Sequence, residues 1–161
     1  MNCNNIKKYN YLEKIFINVG FNMPSIAFLL SFIYIFLKKG KIMLFIIFFF
    51  LCMIINTSLK LIIKEQRPEK RDFYTPLLGH EYGMPSGHAQ LVTFSLFYLY
   101  LLYPNNPILL FIASLCTTIT SYQRVYTKMH TKKQVYAGIG VGLLLAFIAS
   151  NIVIPKKMNF L

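Results

Sequence analysis

Three short segments of this chain combine cations with histidine at spacings suited to chemistry on a phosphate: Lys60-x6-Arg67-Pro68, Pro85-Ser86-Gly87-His88 and Arg124-x5-His130. Arginine offers a planar fork of N–H donors that matches phosphate oxygens. A neutral imidazole can attack phosphorus when its other ring nitrogen is held by an acceptor. Pro85 suits a first helical turn, which puts the unpaired backbone N–H groups of Ser86 and Gly87 at a helix start, where donors and dipole together bind anions. Gly87 also lets an anion come close to the main chain, and His88 points toward whatever sits there. Cation clusters bracketing two histidines describe a site that holds a phosphate and attacks it.

Each of these features also has a plainer reading that the residues leave open. If the second apolar helix runs on to Arg67, then Lys60, Lys64 and Arg67 recur at i, i+4 and i+7 along one face, with Pro68 as the stop. Such a stripe repels itself unless an anion lies against it; alternatively these are snorkelling side chains among lipid headgroups, with Glu65 and Glu69 as partners. His88 either faces an anion or packs as a capping residue. His80, in mid-loop without cation spacing, reads as a solvated residue. Gln134, one turn past His130, can accept a hydrogen bond from its ring but brings no charge. Four of the five acidic residues fall in one loop interleaved with cations, so no metal site is expected.

The elements that must position these residues are membrane helices. Of 161 residues 56% are hydrophobic and mean hydropathy is +0.52, above the roughly 45–50% apolar share of soluble domains. Runs near the ~20 residues needed to cross a bilayer occur at about 15–37, 42–63, 86–103, 107–126 and 134–154. An all-α, multi-pass transmembrane bundle of about five spans is therefore expected, as one domain over residues 1–161 with its motif core at 60–134. The first run, interrupted by Asn22 and Pro24, reads as one kinked span or as a re-entrant first half. The polar stretch through Lys14 argues against a cleavable signal peptide. Gly138-x3-Gly142 either brings two helices close or only tolerates packing. Because the loops at about 64–85 and 127–133 are two crossings apart, all three motifs emerge on one side. Cys3, Cys52 and Cys116 are too scattered for a disulfide framework. The net charge of +12 fits anionic lipid surfaces, and a nucleic-acid partner is not expected, because the basic residues sit at helix ends.

Together the three segments resemble the signature of the type 2 phosphatidic acid phosphatase superfamily: Lys-x6-Arg-Pro, Pro-Ser-Gly-His and Ser-Arg-x5-His-x3-Asp. Gln123 stands where that pattern has serine and Gln134 where it has aspartate. The wording Tyr82-Gly83-Met84-Pro85-Ser86-x-His88-x-Gln90 and Arg124-Val125-Tyr126-x3-His130-Thr131-x2-Gln134 is similar to the dolichyl diphosphatase branch, where glutamine also fills the last position. The resemblance implies a metal-independent, cofactor-free reaction on a lipid phosphate. Lys60, Arg67, Ser86, Gly87 and Arg124 would hold phosphoryl oxygens, His130 would attack, His88 would protonate the leaving oxygen, and Gln134 would orient His130. Without a charged partner His130 is a weaker nucleophile, which favours a polyprenyl diphosphate over a lipid monophosphate and suggests that Gln134→Asp would raise its basicity. A phosphatidate-like monophosphate phosphatase and a non-catalytic lipid-phosphate binder are the alternatives. Basic residues on the motif face (Lys7, Lys8, Lys14) argue for a cytoplasmic site; the resemblance implies a lumenal or extracytoplasmic one, in the endoplasmic reticulum or an equivalent membrane.

Overall fold

Apolar helices account for nearly all of the computed structural model, which describes residues 10–69 and 81–153. Cys3, Lys7, Lys8, Asp72, His80, Lys156 and Lys157 lie outside the described residues. Among those described there are five helices: α1 (Tyr11–Leu37), α2 (Ile42–Ile63), α3 (Gly87–Leu102), α4 (Pro107–Tyr126) and α5 (Lys132–Val153). Four are long and apolar enough to cross a membrane, and α3 is the short one at 16 residues. At 1.5 Å per residue it covers roughly 24 Å, less than a hydrocarbon core of about 30 Å. It can be short because protein, not lipid, surrounds it: α3 packs against each of the other four helices, and Ala89, Val92, Phe94 and Tyr98 are fully buried. The outer helices instead expose large apolar side chains such as Phe36, Phe50, Ile62, Phe111 and Phe147, as lipid contact requires. The chain is an integral membrane protein.

Helix α1 runs unbroken through Pro24, so the re-entrant alternative does not hold. Its start is fixed by a reciprocal capping box between Asn10 and Glu13, and the Tyr126 hydroxyl at the end of α4 donates to Glu13 Oε1 at 2.5 Å. The start of α1 therefore lies at the same end of the bundle as the end of α4, as the crossing count requires.

The glycine spacing on α5 resolves in favour of close approach. A Cβ on Gly138 would meet the Ser86 carbonyl oxygen at 2.5 Å, and one on Gly142 would meet the Gln90 carbonyl oxygen at 2.6 Å. The α5 backbone thus lies directly against the first turn of α3. Gly140, between them, faces open space. Gly138→Ala should lower the unfolding temperature in detergent by several degrees, whereas Gly140→Ala should hold or raise it, since alanine favours a helix by up to about 1 kcal/mol. Equal effects in a thermal melt would mean that the approach at Gly138 does not hold the bundle together.

Candidate active site

The end of α4 explains the spacing between Arg124 and His130. The Thr127 N–H bonds the Gln123 carbonyl, and both Met129 and His130 donate their N–H groups to the Arg124 carbonyl at 3.0 and 3.2 Å. This folded-back end uses the last carbonyls of the helix and returns the chain so that His130 sits beside Arg124. Both are buried, at 4% and 2% exposure. Helix α5 then starts at once, with Gln134 N–H on Thr131 Oγ1 at 3.2 Å and Thr131 N–H on Gln134 Oε1 at 3.2 Å. Thr131-x2-Gln134 is a capping box, a structural role for Gln134 that the sequence displayed and that was not recognised in it.

Helix α2 does not continue to Arg67, contrary to the stripe expected from sequence. It ends at Ile63, with Lys64 in the left-handed region at φ 52° and its N–H on the Lys60 carbonyl. Gln66 then pairs with Tyr82 in an isolated antiparallel bridge, and Gly83 N–H donates to the Glu65 carbonyl at 2.8 Å. The break separates charges that a straight helix would stack. Lys64 turns outward, Lys60 stays buried, and Arg67 swings inward to donate to the Met129 carbonyl at 3.1 Å and to His130 Nε2 at 3.1 Å. Glu65 and Glu69 pair with Lys133 at 2.9 Å and Lys128 at 3.1 Å across the loops.

These contacts fix the tautomer of His130. A guanidinium can only donate, so Nε2 must carry the lone pair and Nδ1 the proton. Nδ1–H donates to the Gly83 carbonyl at 2.8 Å, with Gln134 Oε1 a second acceptor at 3.3 Å. The Gly83 backbone carbonyl makes the shorter contact to the ring, and Gln134 meets the same nitrogen, the contact expected from sequence. Gly83 makes room for this arrangement: a Cβ would meet the end of the Gln134 side chain, including Oε1 and its Cδ at 2.6 Å, and would displace it. Burial holds the His130 pKa well below its ordinary value, and the positive charges of Arg67, Lys60 and Arg124 push the same way, against the Gly83 hydrogen bond.

At the opposite wall, α3 begins at Gly87 with Ser86 as N-cap, so Pro85 precedes the helix and does not enter its first turn. The Ser86 backbone N–H is not open to an anion either, since it donates to the Gln134 carbonyl at 2.9 Å. What remains is the Ser86 hydroxyl, buried with no partner among the described residues, and the N–H groups of Gly87 and His88, which precede the first helical bond from Gln90 to Ser86. A polar network beneath secures this end: Asn56 donates to Gln90 Oε1 at 2.6 Å and to the Pro85 carbonyl, and Gln90 donates to the Cys52 carbonyl at 2.8 Å. His88 stands 5.6 Å from the Phe21 ring, over which Arg124 lies at 5.5 Å. Arg124, Lys60 and Arg67 all act electrostatically on His88. The two histidines and three cations named from the sequence therefore converge, joined by Phe21 and Gly83, which sequence reasoning missed.

The substitution at Gln123 has its own partner. Its side chain packs where a Cβ on Gly20 would sit, 2.5 Å from Cγ, and its amide donates to the Ile17 carbonyl at 3.4 Å. A serine there would leave a gap against α1.

Comparison with known proteins places the chain among membrane phosphatases of one fold. Dolichyldiphosphatase 1 from Dictyostelium discoideum is 34% identical across 58% of this chain and 44% of its own length. Lipid A 1-phosphatase from Helicobacter pylori is 30% identical across 60% of this chain and 46% of its own, so the chain spans a little under half the length of these curated relatives. The crystal structure of a transmembrane PAP2 type phosphatidylglycerolphosphate phosphatase from Bacillus subtilis shares the fold, with a TM-score of 0.66 at 22% identity, over 90% of this chain and 78% of that one. The family model described as PAP2 superfamily matches residues 39–157, which include every site residue above except Phe21 and Gly20, and the chain belongs to that superfamily.

Proposed function

We propose that this protein is an integral-membrane lipid phosphatase that hydrolyses a polyprenyl diphosphate of the dolichyl type to the monophosphate through a phosphohistidine intermediate. The observation that carries the reading is the orientation of His130: a neutral imidazole with its Nε2 lone pair facing the cation cluster. The terminal phosphoryl group displaces Nε2 from Arg67 and takes up the guanidinium itself. Lys60, Arg124, the Ser86 hydroxyl and the Gly87 N–H receive the other oxygens, the main task in phosphoryl transfer. Nε2 attacks phosphorus as the bond to the leaving oxygen breaks, and the substrate's negative charge, offsetting the cations around His88, lets that imidazole supply the proton. Water then gives a proton to His88, attacks phosphorus and breaks the P–N bond, which releases phosphate and restores neutral His130. The cations take the part a metal would play, so the reaction runs without one.

Both contacts to His130 Nδ1 are neutral, Gly83 and Gln134, which keeps the nucleophile modest and favours a phosphate over an alkoxide as leaving group. The Dictyostelium relative's name supports a diphosphate. The Helicobacter relative, matched almost as closely, supports the broader reading of a lipid monophosphate phosphatase. A groove of about 460 Å3 between α4 and α5, lined by Tyr122, Val125, Val135, Tyr136 and Ile139 with Lys132 at the motif end, offers room for a hydrocarbon chain. A binder without catalysis would need the cations but not two histidines. The domain on this reading is the whole of 1–161 with its core at 60–134, and the site faces the lumen of the endoplasmic reticulum or an equivalent compartment.

Assays of purified protein in detergent test each part. Turnover of farnesyl diphosphate should persist in chelator; a strict Mg2+ requirement would overturn the mechanism. His130→Ala should abolish turnover, whereas His88→Ala should slow a monophosphate more than a diphosphate, since the better leaving group needs less protonation; equal losses would remove the leaving-group argument. The pH profile has a definite sign. His130 acts unprotonated and its pKa is lowered, so the acid limb of kcat/KM should lie below the ordinary histidine value of about 6.5. Lys60→Met removes one of the charges that lower it and should move that limb to higher pH, and an unmoved limb would mean that the limb belongs to another group.

A further inference from the structure

We propose that Glu65 is a positioning residue for His130, presenting a carboxylate to the imidazole through the side-chain amide of Gln134. The inference rests on the phosphatase reading. Glu65 Oε1 accepts one N–H of the Gln134 amide at 3.0 Å, and the Gln66 carbonyl accepts the other at 2.8 Å. With both amide protons committed, Oε1 of Gln134 can only face the Thr131 N–H and His130 Nδ1–H. A flipped amide would set its oxygen against two acceptors and its protons against two donors. Glu65 thus helps to keep the acceptor of Gln134 facing His130, in support of the tautomer that Arg67 and Gly83 set. A hydrogen bond to a carboxylate also polarises the amide, enriching the oxygen that faces the ring.

A second path runs through the main chain. The Glu65 carbonyl accepts the Gly83 N–H at 2.8 Å, and Gly83 in turn accepts the proton of His130 Nδ1 at 2.8 Å. Both supports of the nucleophilic ring therefore return to one residue. Lys133 holds the other carboxylate oxygen at 2.9 Å, and this contact, ahead of the bond from Gln134, keeps the Glu65 carboxyl below its ordinary pKa and ionised. Its carboxylate lies one amide away from His130, whereas Arg67, Lys60 and Arg124 act on the ring directly. This reverses the expectation for Gln134→Asp: an aspartate would lose both amide donors and bring a second carboxylate against Glu65.

A double-mutant cycle over Glu65→Gln and Gln134→Asp separates this role from simple bracing. Farnesyl diphosphate hydrolysis by the full chain in detergent gives kcat and KM for each. Glu65→Gln alone should lower kcat roughly tenfold, the scale of one lost hydrogen bond to a charged group, with KM within about twofold, since Glu65 touches no phosphate; Glu65→Asp should recover part of the loss. In the Gln134→Asp background, Glu65→Gln should raise kcat, because a neutral amide then donates to the new carboxylate. The same fold loss in both backgrounds would overturn the proposal. Should Gln134→Asp fail to fold, the half-exposed pair still decides it: Glu65→Gln should shift the acid limb of kcat/KM to lower pH and Lys133→Met to higher pH, and shifts of one sign, or none, would reduce Glu65 to a brace. If the wild-type protein turns over no lipid phosphate, the phosphatase reading fails by itself. The relay is then read from a 15N NMR titration of His130, where Glu65→Gln should make the imidazole harder to protonate and an unchanged titration would overturn it.

Discussion

Three cations held around one buried imidazole set the terms for the rest of the molecule. At an effective dielectric of 20, like charges 4 Å apart repel by about 4 kcal/mol, so Lys60, Arg67 and Arg124 converge only because other contacts hold them. Each arrives on a different element: Lys60 in the last turn of α2, Arg124 in the last turn of α4, and Arg67 on a loop, its guanidinium donating to the Met129 carbonyl. Burial and then this repulsion keep the imidazole neutral, and it offers its lone pair to Arg67. An anion entering this space relieves all of it at once. Binding and activation of the nucleophile are on this view one electrostatic event.

Close backbone approach is what such convergence requires. Gly138 brings α5 onto Ser86, Gly83 makes room for Gln134, and Gly20 makes room for Gln123. The last two pairs account for the positions at which this chain leaves the superfamily pattern. Gln123 fills space that Gly20 opens on α1. Gln134 is longer and neutral, and it answers a glutamate on a separate loop, so the charge that an aspartate would place on the ring stands one amide further off. On the proposed mechanism, a more distant charge would stabilise a phosphoimidazolium less, which would suit a substrate whose leaving group departs easily.

The helices and the grouping of motifs were legible in the sequence because both depend on simple regularities. Apolar runs of membrane length gave five helices close to their observed bounds, and counting crossings put His88, Arg124 and His130 at one end. The break after Ile63 was not legible. Periodicity at Lys60, Lys64 and Arg67 favoured one continuing helix, whereas a left-handed Lys64 and the pairing of Gln66 with Tyr82 depend on a partner segment distant in sequence. The same distance hid the Gly83 carbonyl as a holder of His130, since backbone acceptors carry no residue signature. Thr131-x2-Gln134 was the missed signal that could have been read, because a capping box has a fixed local spacing. Phe21 could not have been found, as nothing in its neighbourhood marks one phenylalanine among 15.

The short central helix joins the site's chemistry to its setting. With α3 at 16 residues beside α2 at 22, the N–H groups of Gly87 and His88 open well inside the bundle. Lys60, one turn before the end of α2, is buried and acts electrostatically on His88. A recess of this kind strengthens every charge within it, but it also asks a phosphate to leave water. A soluble phosphate ester would bear that desolvation with only the cations in return. A lipid phosphate is already held at the membrane surface by its hydrocarbon, so its headgroup has a short path into the recess, and its chain can remain among the outer helices. On the proposed mechanism, the geometry that would make the imidazole a usable nucleophile is therefore also the geometry that favours a membrane-anchored substrate.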